Sequence, residues 1–148
     1  MADTELRIVA DTFERDGGVV EAPLDSRILV LLRRLAVADY DLGNGVLVER
    51  KTITDLHLSL QRGRLWRQIG ALRKAARWPC LLVEGPALDH RTTSPEAIRG
   101  AYLAVLGQGV AIVRSESAVD SAMWLRLLAL RTAGERPPRD RPPSTHSG

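Results

Sequence analysis

Residues 38–55, ADYDLGNGVLVERKTITD, constrain the fold more than any other stretch of the chain. Two short β-prone runs, residues 37–41 and 46–51, flank Leu42-Gly43-Asn44-Gly45. Glycine and asparagine in that position supply the backbone angles that a tight hairpin turn demands. A β-hairpin is expected. Side chains alternate along a strand, so Leu47, Glu49 and Lys51 share one face while Val46, Val48 and Arg50 take the other. Asp39 and Asp41 likewise share a face. With Asp39 turned toward Glu49 and Lys51, the hairpin gathers an aspartate, a glutamate and a lysine around one spot.

Such a trio suits phosphodiester hydrolysis. Asp39 and Glu49 offer hard oxygen ligands that can share a Mg²⁺ with water and a phosphate oxygen, and Mn²⁺ is expected to substitute. A metal in that position lowers the pKa of its water and offsets charge developing on the phosphate. Lys51 is placed to orient the attacking water or to stabilise the transition state electrostatically. Spacing alone fits a surface salt bridge across a hairpin equally well, because E-x-K alternation is common on exposed strands.

The same residues carry a resemblance. Asp39, a gap of nine residues, Glu49-Arg50-Lys51, a gap of three and Asp55 resemble the G-D-x(n)-E-R-K-x-x-x-D signature of XPF-type structure-specific endonucleases, within the restriction-endonuclease-like PD-(D/E)XK superfamily. Gly63-Arg64 with Gln68 is similar to the family's G-R-x-x-x-Q, and Leu81-Leu82-Val83-Glu84-Gly85 resembles the strand that follows it. Ile98-Arg99-Gly100-Ala101 and Asp120-Ser121-Ala122 are similar to weaker family positions. The likeness covers roughly residues 6–132. Two departures stand out. Ala38 replaces the glycine before the aspartate, and Phe13 replaces the arginine of a first-strand D-x-R-E, where Asp11 and Glu14 fit and Arg15 follows.

The resemblance implies a restriction-endonuclease-like α/β fold, a central mixed sheet flanked by helices in a single domain. It implies a metal-dependent endonuclease acting on branched or flapped DNA, with Asp39, Glu49 and Lys51 catalytic, Asp39 and Glu49 holding the metal, and Asp11, Glu14, Arg50 and Asp55 in support. A non-catalytic nucleic-acid-binding or scaffolding subunit is the alternative, since the family includes partners with decayed sites. Asp39, Glu49, Lys51 and Asp55 are intact here. Family members commonly carry a tandem helix-hairpin-helix module after the nuclease domain, and nothing after Arg131 in this sequence reads as one.

The rest of the chain reads as support for the hairpin. Residues 6–11 are a first strand. In residues 25–36 the spacing of Ile28, Leu31, Leu32 and Leu35 predicts a helix capped by Asp25 or Ser26. After the hairpin, a helix starting at Thr52 or Thr54 breaks near Gly63, resumes through Leu65, Ile69, Leu72 and Ala76, and ends at Trp78-Pro79. Residues 80–83 are a buried strand, Pro95 opens a helix that runs to Gly107, residues 110–113 form a last strand and residues 118–131 a last helix. Strands alternating with helices imply an α/β layer architecture. With 148 residues, 45% of them hydrophobic, one core is the expectation. Residues 1–134 are assigned to the nuclease domain. Residues 135–148, rich in proline and arginine, are assigned to a disordered tail.

Charge and residue usage narrow the partners. Between Leu56 and Val83 six basic residues, Arg62, Arg64, Arg67, Arg73, Lys74 and Arg77, meet no acidic one. Arg67 and Lys74 lie on one side of the helix, opposite its apolar positions, and with Arg64 and Gln68 they make a candidate phosphate track. There is no G-x-x-x-x-G-K-[ST] loop, so no nucleotide cofactor is expected. No apolar run is long enough for a membrane span, and a cytoplasmic setting follows, nuclear if the source is eukaryotic. Cys80 is the sole cysteine, which excludes an internal disulfide. It reads as a small hydrophobe, His57 as structural or solvated, and Trp66 and Trp78 as packing residues. The last helix is apolar nearly all round, so a surplus face carrying Trp124, Leu125 or Leu128 predicts a homodimer.

Overall fold

The computed structural model describes residues 6–12 and 28–134. In chain order the elements are β1 (Leu6–Asp11), β2 (Ile28–Arg33), β3 (Tyr40–Gly43), β4 (Val46–Thr52), α1 (Ile53–Gln61), α2 (Leu65–Ala75), β5 (Trp78–Glu84), α3 (Pro95–Gly107), β6 (Ala111–Ser115) and α4 (Ala118–Gly134). The strands form one mixed sheet in the order β2-β1-β3-β4-β5-β6. β3 runs antiparallel to both β1 and β4, whereas β1 and β2 are parallel, as are β4, β5 and β6.

The hairpin forms as its sequence dictates. Gly43, Asn44 and Gly45 all have positive φ, and the Asp41 carboxylate accepts the Gly43 N–H at 2.9 Å. Gly45 has a second reason to be glycine, because a Cβ there would stand 2.6 Å from the Arg77 Cβ. Thr52 ends β4 and caps α1 by accepting the Asp55 N–H at 3.1 Å. Ser94 caps α3 in the same way, with Pro95 in the first turn where a missing N–H costs nothing.

Alternation along the strands builds a core on each face of the sheet. On one side Ile8, Ala10, Tyr40, Val48 and Leu82 pack beneath α4, which contributes Ala122, Leu125 and Ala129. On the other, Leu81 and Val83 lie under α1, α2 and α3, with Leu65, Ile69, Leu72 and Ile98 nearly sealed from solvent. Val48 and Leu47 belong to opposite cores, so Glu49 and Lys51 emerge on the α1–α3 face and Arg50 on the α4 face.

Two expectations are corrected. The helix predicted over residues 25–36 is, where described, the strand β2, paired with β1 along six residues. A contiguous run such as Ile-Leu-Val-Leu-Leu satisfies helix and strand spacing alike, and the parallel ladder with β1 decides between them. The surplus face of α4 keeps Trp124 from the expected set but not Leu125 or Leu128. Leu125 is 2% exposed and Leu128 packs against the core, whereas Val119, Met123 and Leu127, four residues apart, are 60%, 49% and 49% exposed alongside Trp124. Phe13, Glu14, Arg15 and residues 135–148 lie outside the described residues.

Candidate active site

Ala10 stands opposite Tyr40, and Tyr40 opposite Val48, so the next positions out, Asp11, Asp39 and Glu49, fall in backbone register across β1, the entry to β3, and β4. Main-chain hydrogen bonds lock this edge. The Asp11 N–H donates to the Asp39 carbonyl at 2.8 Å, and the Asp39 N–H donates to the Val48 carbonyl at 2.9 Å. Asp39 Oδ2 then accepts the Arg50 N–H at 2.8 Å. That bond seats the Asp39 carboxylate against the backbone between Glu49 and Lys51. Lys51 is 8% exposed, a charged side chain sunk into the α1–α3 face beside the hairpin.

Ala38, directly before Asp39, has φ of 75°. This is the left-handed region, where an L side chain is disfavoured by about 1–2 kcal/mol. Alanine is the smallest side chain that can bear it.

The remaining sequence-selected residues divide. Asp11 is 5% exposed and its Oδ1 accepts the Leu35 N–H at 2.8 Å, tying the segment after β2 to β1. Asp55 is exposed in the first turn of α1, a favourable place for its charge, with its N–H on Thr52. It is held at the helix start rather than drawn into the hydrogen bonds around Asp39. Arg64 heads α2, half-buried, and its carbonyl accepts the Gln68 N–H. Gln68 Oε1 is buried with no hydrogen-bond partner among the described residues. Arg67 and Lys74 are exposed and, with Arg73, line a shallow concavity floored by Gly70 and Ala71.

Arg50 shows what spacing did not. Its guanidinium grips Glu84 at the end of β5 through Nε and Nη2, both at 2.8 Å, with the two side chains 11% and 12% exposed. Glu84 also accepts the Ser121 hydroxyl at 2.7 Å, and Ser121 meets Ser115 at 2.6 Å. Burial pushes the Glu84 carboxyl up, but the hydrogen bonds from Arg50 and Ser121 and the adjacent positive charge outweigh that and hold it below the usual carboxylate range. An acidic residue closing an apolar strand was the available signal. Gly85 follows because a Cβ there would lie 2.6 Å from Ile53 Cγ1, where α1 begins.

The side residues read from sequence resolve as well. His57 is 1% exposed and its Nε2–H donates to the Leu88 carbonyl at 2.8 Å, a structural role. Cys80 is buried, which pushes its thiol up to about 11. Trp66 and Trp78 are instead more than a third exposed, and the Arg77 guanidinium sits 5.8 Å over the Trp78 ring.

A mixed sheet whose central hairpin carries Asp, Glu-x-Lys and a helix on its C-terminal side is the nuclease domain of the restriction-endonuclease-like class. Residues 10–128 match the ERCC4 domain, and the chain belongs to that family, whose members include XPF-type nucleases. Over 127 residues it is 36% identical to the "3'-flap repair endonuclease Xpf" of Saccharolobus solfataricus, covering 84% of this chain and 54% of that protein. The chain thus spans about half the length of this relative. Among solved structures it resembles XPF from Aeropyrum pernix at a TM-score of 0.77 and 27% identity, covering 88% of this chain and 66% of the other. The same protein in complex with DNA gives 0.74 and 25%, covering 86% and 65%. Among the described residues no helix is long and apolar enough to cross a membrane.

Proposed function

We propose that this chain hydrolyses phosphodiester bonds in branched or flapped DNA as a structure-specific endonuclease of DNA repair or recombination, with Asp39, Glu49 and Lys51 as the catalytic residues. The observation that carries the reading is the bond from the Arg50 N–H to Asp39 Oδ2, which sets that carboxylate beside Glu49 and Lys51 on a rigid hairpin. A largely buried lysine on the same sheet face as two carboxylates suits a reaction in which negative charge builds on a phosphate. The relative named as a 3'-flap endonuclease and the relative solved with DNA support the choice of substrate.

The donor set fits Mg²⁺ or Mn²⁺. Asp39 and Glu49 are hard oxygen donors, and Mg²⁺ is ordinarily held by one or two carboxylates with water and substrate phosphate completing the shell. Such an ion supplies positive charge at the phosphate and a more acidic water. The chain's own residues do the rest. Asp39 and Glu49 orient the ion and substrate, Lys51 offers its N–H donors to the developing oxyanion, and Arg50 fixes the strand that bears them. Asp11 braces the hairpin from β1, Asp55 adds negative charge at the start of α1, and Glu14 is assigned a supporting role by its place in the sequence alone. Arg64, Arg67, Gln68 and Lys74 track the phosphate backbone leading to the hairpin.

Self-association is part of the proposal. Val119, Met123 and Leu127 form an apolar stripe on α4, with Trp124 beside it, of the kind that marks a protein-facing surface. A two-fold contact between copies repeats the stripe on both subunits and covers it.

A non-catalytic DNA-binding or scaffolding role has one observation in its favour: among the described residues no three His, Cys, Asp or Glu side chains are grouped to hold a metal ion. Labelled flap, fork, nicked and linear DNA incubated with Mg²⁺ or Mn²⁺ separates the readings. Cleavage of branched over linear substrates is expected. Tight binding of all four without cleavage would support the scaffold instead.

A further inference from the structure

Arg50 of β4 makes bonds on both sides of the sheet. Its main-chain N–H holds Asp39 on the side of the proposed chemistry, while its guanidinium, on the α4 side, is gripped by both oxygens of Glu84. Glu84 in turn is held by Ser121 from α4, and Ser121 by Ser115 from β6. The carboxylate therefore ties three elements to the strand that carries Glu49 and Lys51. Burying two such charges costs solvation that their attraction roughly offsets, so the pair contributes little net stability that well-packed apolar side chains would not also provide. What an apolar pair does not supply is a directional restraint on β4 in addition to its two ladders. A forked guanidinium clamped by a carboxylate has a single preferred geometry. The Arg50 N–H lies in the plane of the sheet toward β3, and the clamp adds a side-chain restraint on the residue that presents it.

We propose that Glu84 is a positioning residue for the reaction, acting through Arg50 to keep the Asp39 carboxylate in register with Glu49 and Lys51. The inference rests on the hydrolytic reading of those three residues. It does not give Glu84 any contact with DNA. Ser121 is the outer support of the clamp, contributing one of its three hydrogen bonds.

The test uses the full chain with Glu84→Gln, Arg50→Lys, the double variant and Ser121→Ala. Single-turnover cleavage of flap DNA is measured alongside binding of the same DNA, thermal unfolding, and hydrogen exchange at the Arg50 amide. Glu84→Gln breaks the charged fork, and because small misplacements of reacting groups are expensive, its cleavage rate is expected to fall by about tenfold or more with DNA affinity within about twofold of wild type. Arg50→Lys should do the same, and the double variant should be no slower than the worse single one, since both remove one clamp. Ser121→Ala should show a smaller drop in the same direction. The Arg50 amide should exchange faster in Glu84→Gln while core amides of Leu72 and Ile98 keep their protection.

A Glu84→Gln protein with wild-type cleavage rate and wild-type protection at Arg50 overturns the proposal. So does one that only melts earlier, with normal turnover per folded molecule, because that is a purely structural role. If the wild-type chain cuts no DNA, the hydrolytic reading is what fails, and exchange at the Arg50 amide still decides whether Glu84 sets that bond.

Discussion

The two faces of the sheet carry charge in opposite ways. On the α4 face Arg50 and Glu84 close on each other with two hydrogen bonds, Ser121 caps the pair, and the covering helix turns an apolar stripe outward. On the α1–α3 face Glu49 and Lys51 rise from the same strand, and α2, which covers that side of the sheet, displays Arg67, Arg73 and Lys74 to solvent. One strand thus feeds an internal ion pair on one side and the proposed acidic site on the other. The alternation of E-R-K sorts its three charges by face: the middle one enters the internal ion pair and the outer two share the face of the proposed site.

That contrast can be broken in order of effect. Lys51→Ala removes a charge from the site face and should slow single-turnover cleavage on the order of 10²-fold without unfolding the chain, as checked by circular dichroism. On the other face, Met123→Asp with Leu127→Asp should weaken self-association by about tenfold or more in a sedimentation dilution series. A wild type that stays monomeric at tens of micromolar, roughly the range set by ordinary affinities, removes the interface from α4. Arg67→Ala and Lys74→Ala should each reduce the salt dependence of DNA binding by about one unit of slope, whatever the sequence, and leave the dimer intact. Smallest is Ala38→Gly. It relieves the positive φ beside Asp39 and should raise stability by about 1 kcal/mol in urea unfolding, with no change in association.

Much of this was legible in the sequence because local rules dominate there. The Gly-Asn-Gly turn fixes the hairpin, alternation sends Glu49 and Lys51 to one face and Arg50 to the other, and Thr52, Ser94 and Pro95 mark their helix starts. β2 was not legible, because Ile28, Leu31, Leu32 and Leu35 fit a helix and only pairing with β1, a non-local fact, makes the first three part of a strand. The outward face of α4 was not legible either. A helix apolar all round gives no phase, and the sheet chose Leu125 and Ala129 for the inside. In the site, the roles of Asp39 and Arg50 divide in the same manner. Their spacing announces the chemistry, but the bond between them and the grip of Glu84, 34 residues further on, exist only after folding. The strain at Ala38 likewise gives a backbone reason for the glycine that the resembling family carries before its aspartate.

The central claim is that Glu49 belongs to a hydrolytic site and not to a surface ion pair. The most direct measurement compares Glu49→Gln with wild type, prepared in parallel from a host background free of contaminating nuclease, in single-turnover cleavage of flap DNA with Mg²⁺. Binding affinity and thermal midpoint are measured on the same samples. The account predicts a rate lower by on the order of 10²-fold, with binding and midpoint close to wild type, because the side chain faces the site rather than the core. Equal rates for the two proteins would contradict it.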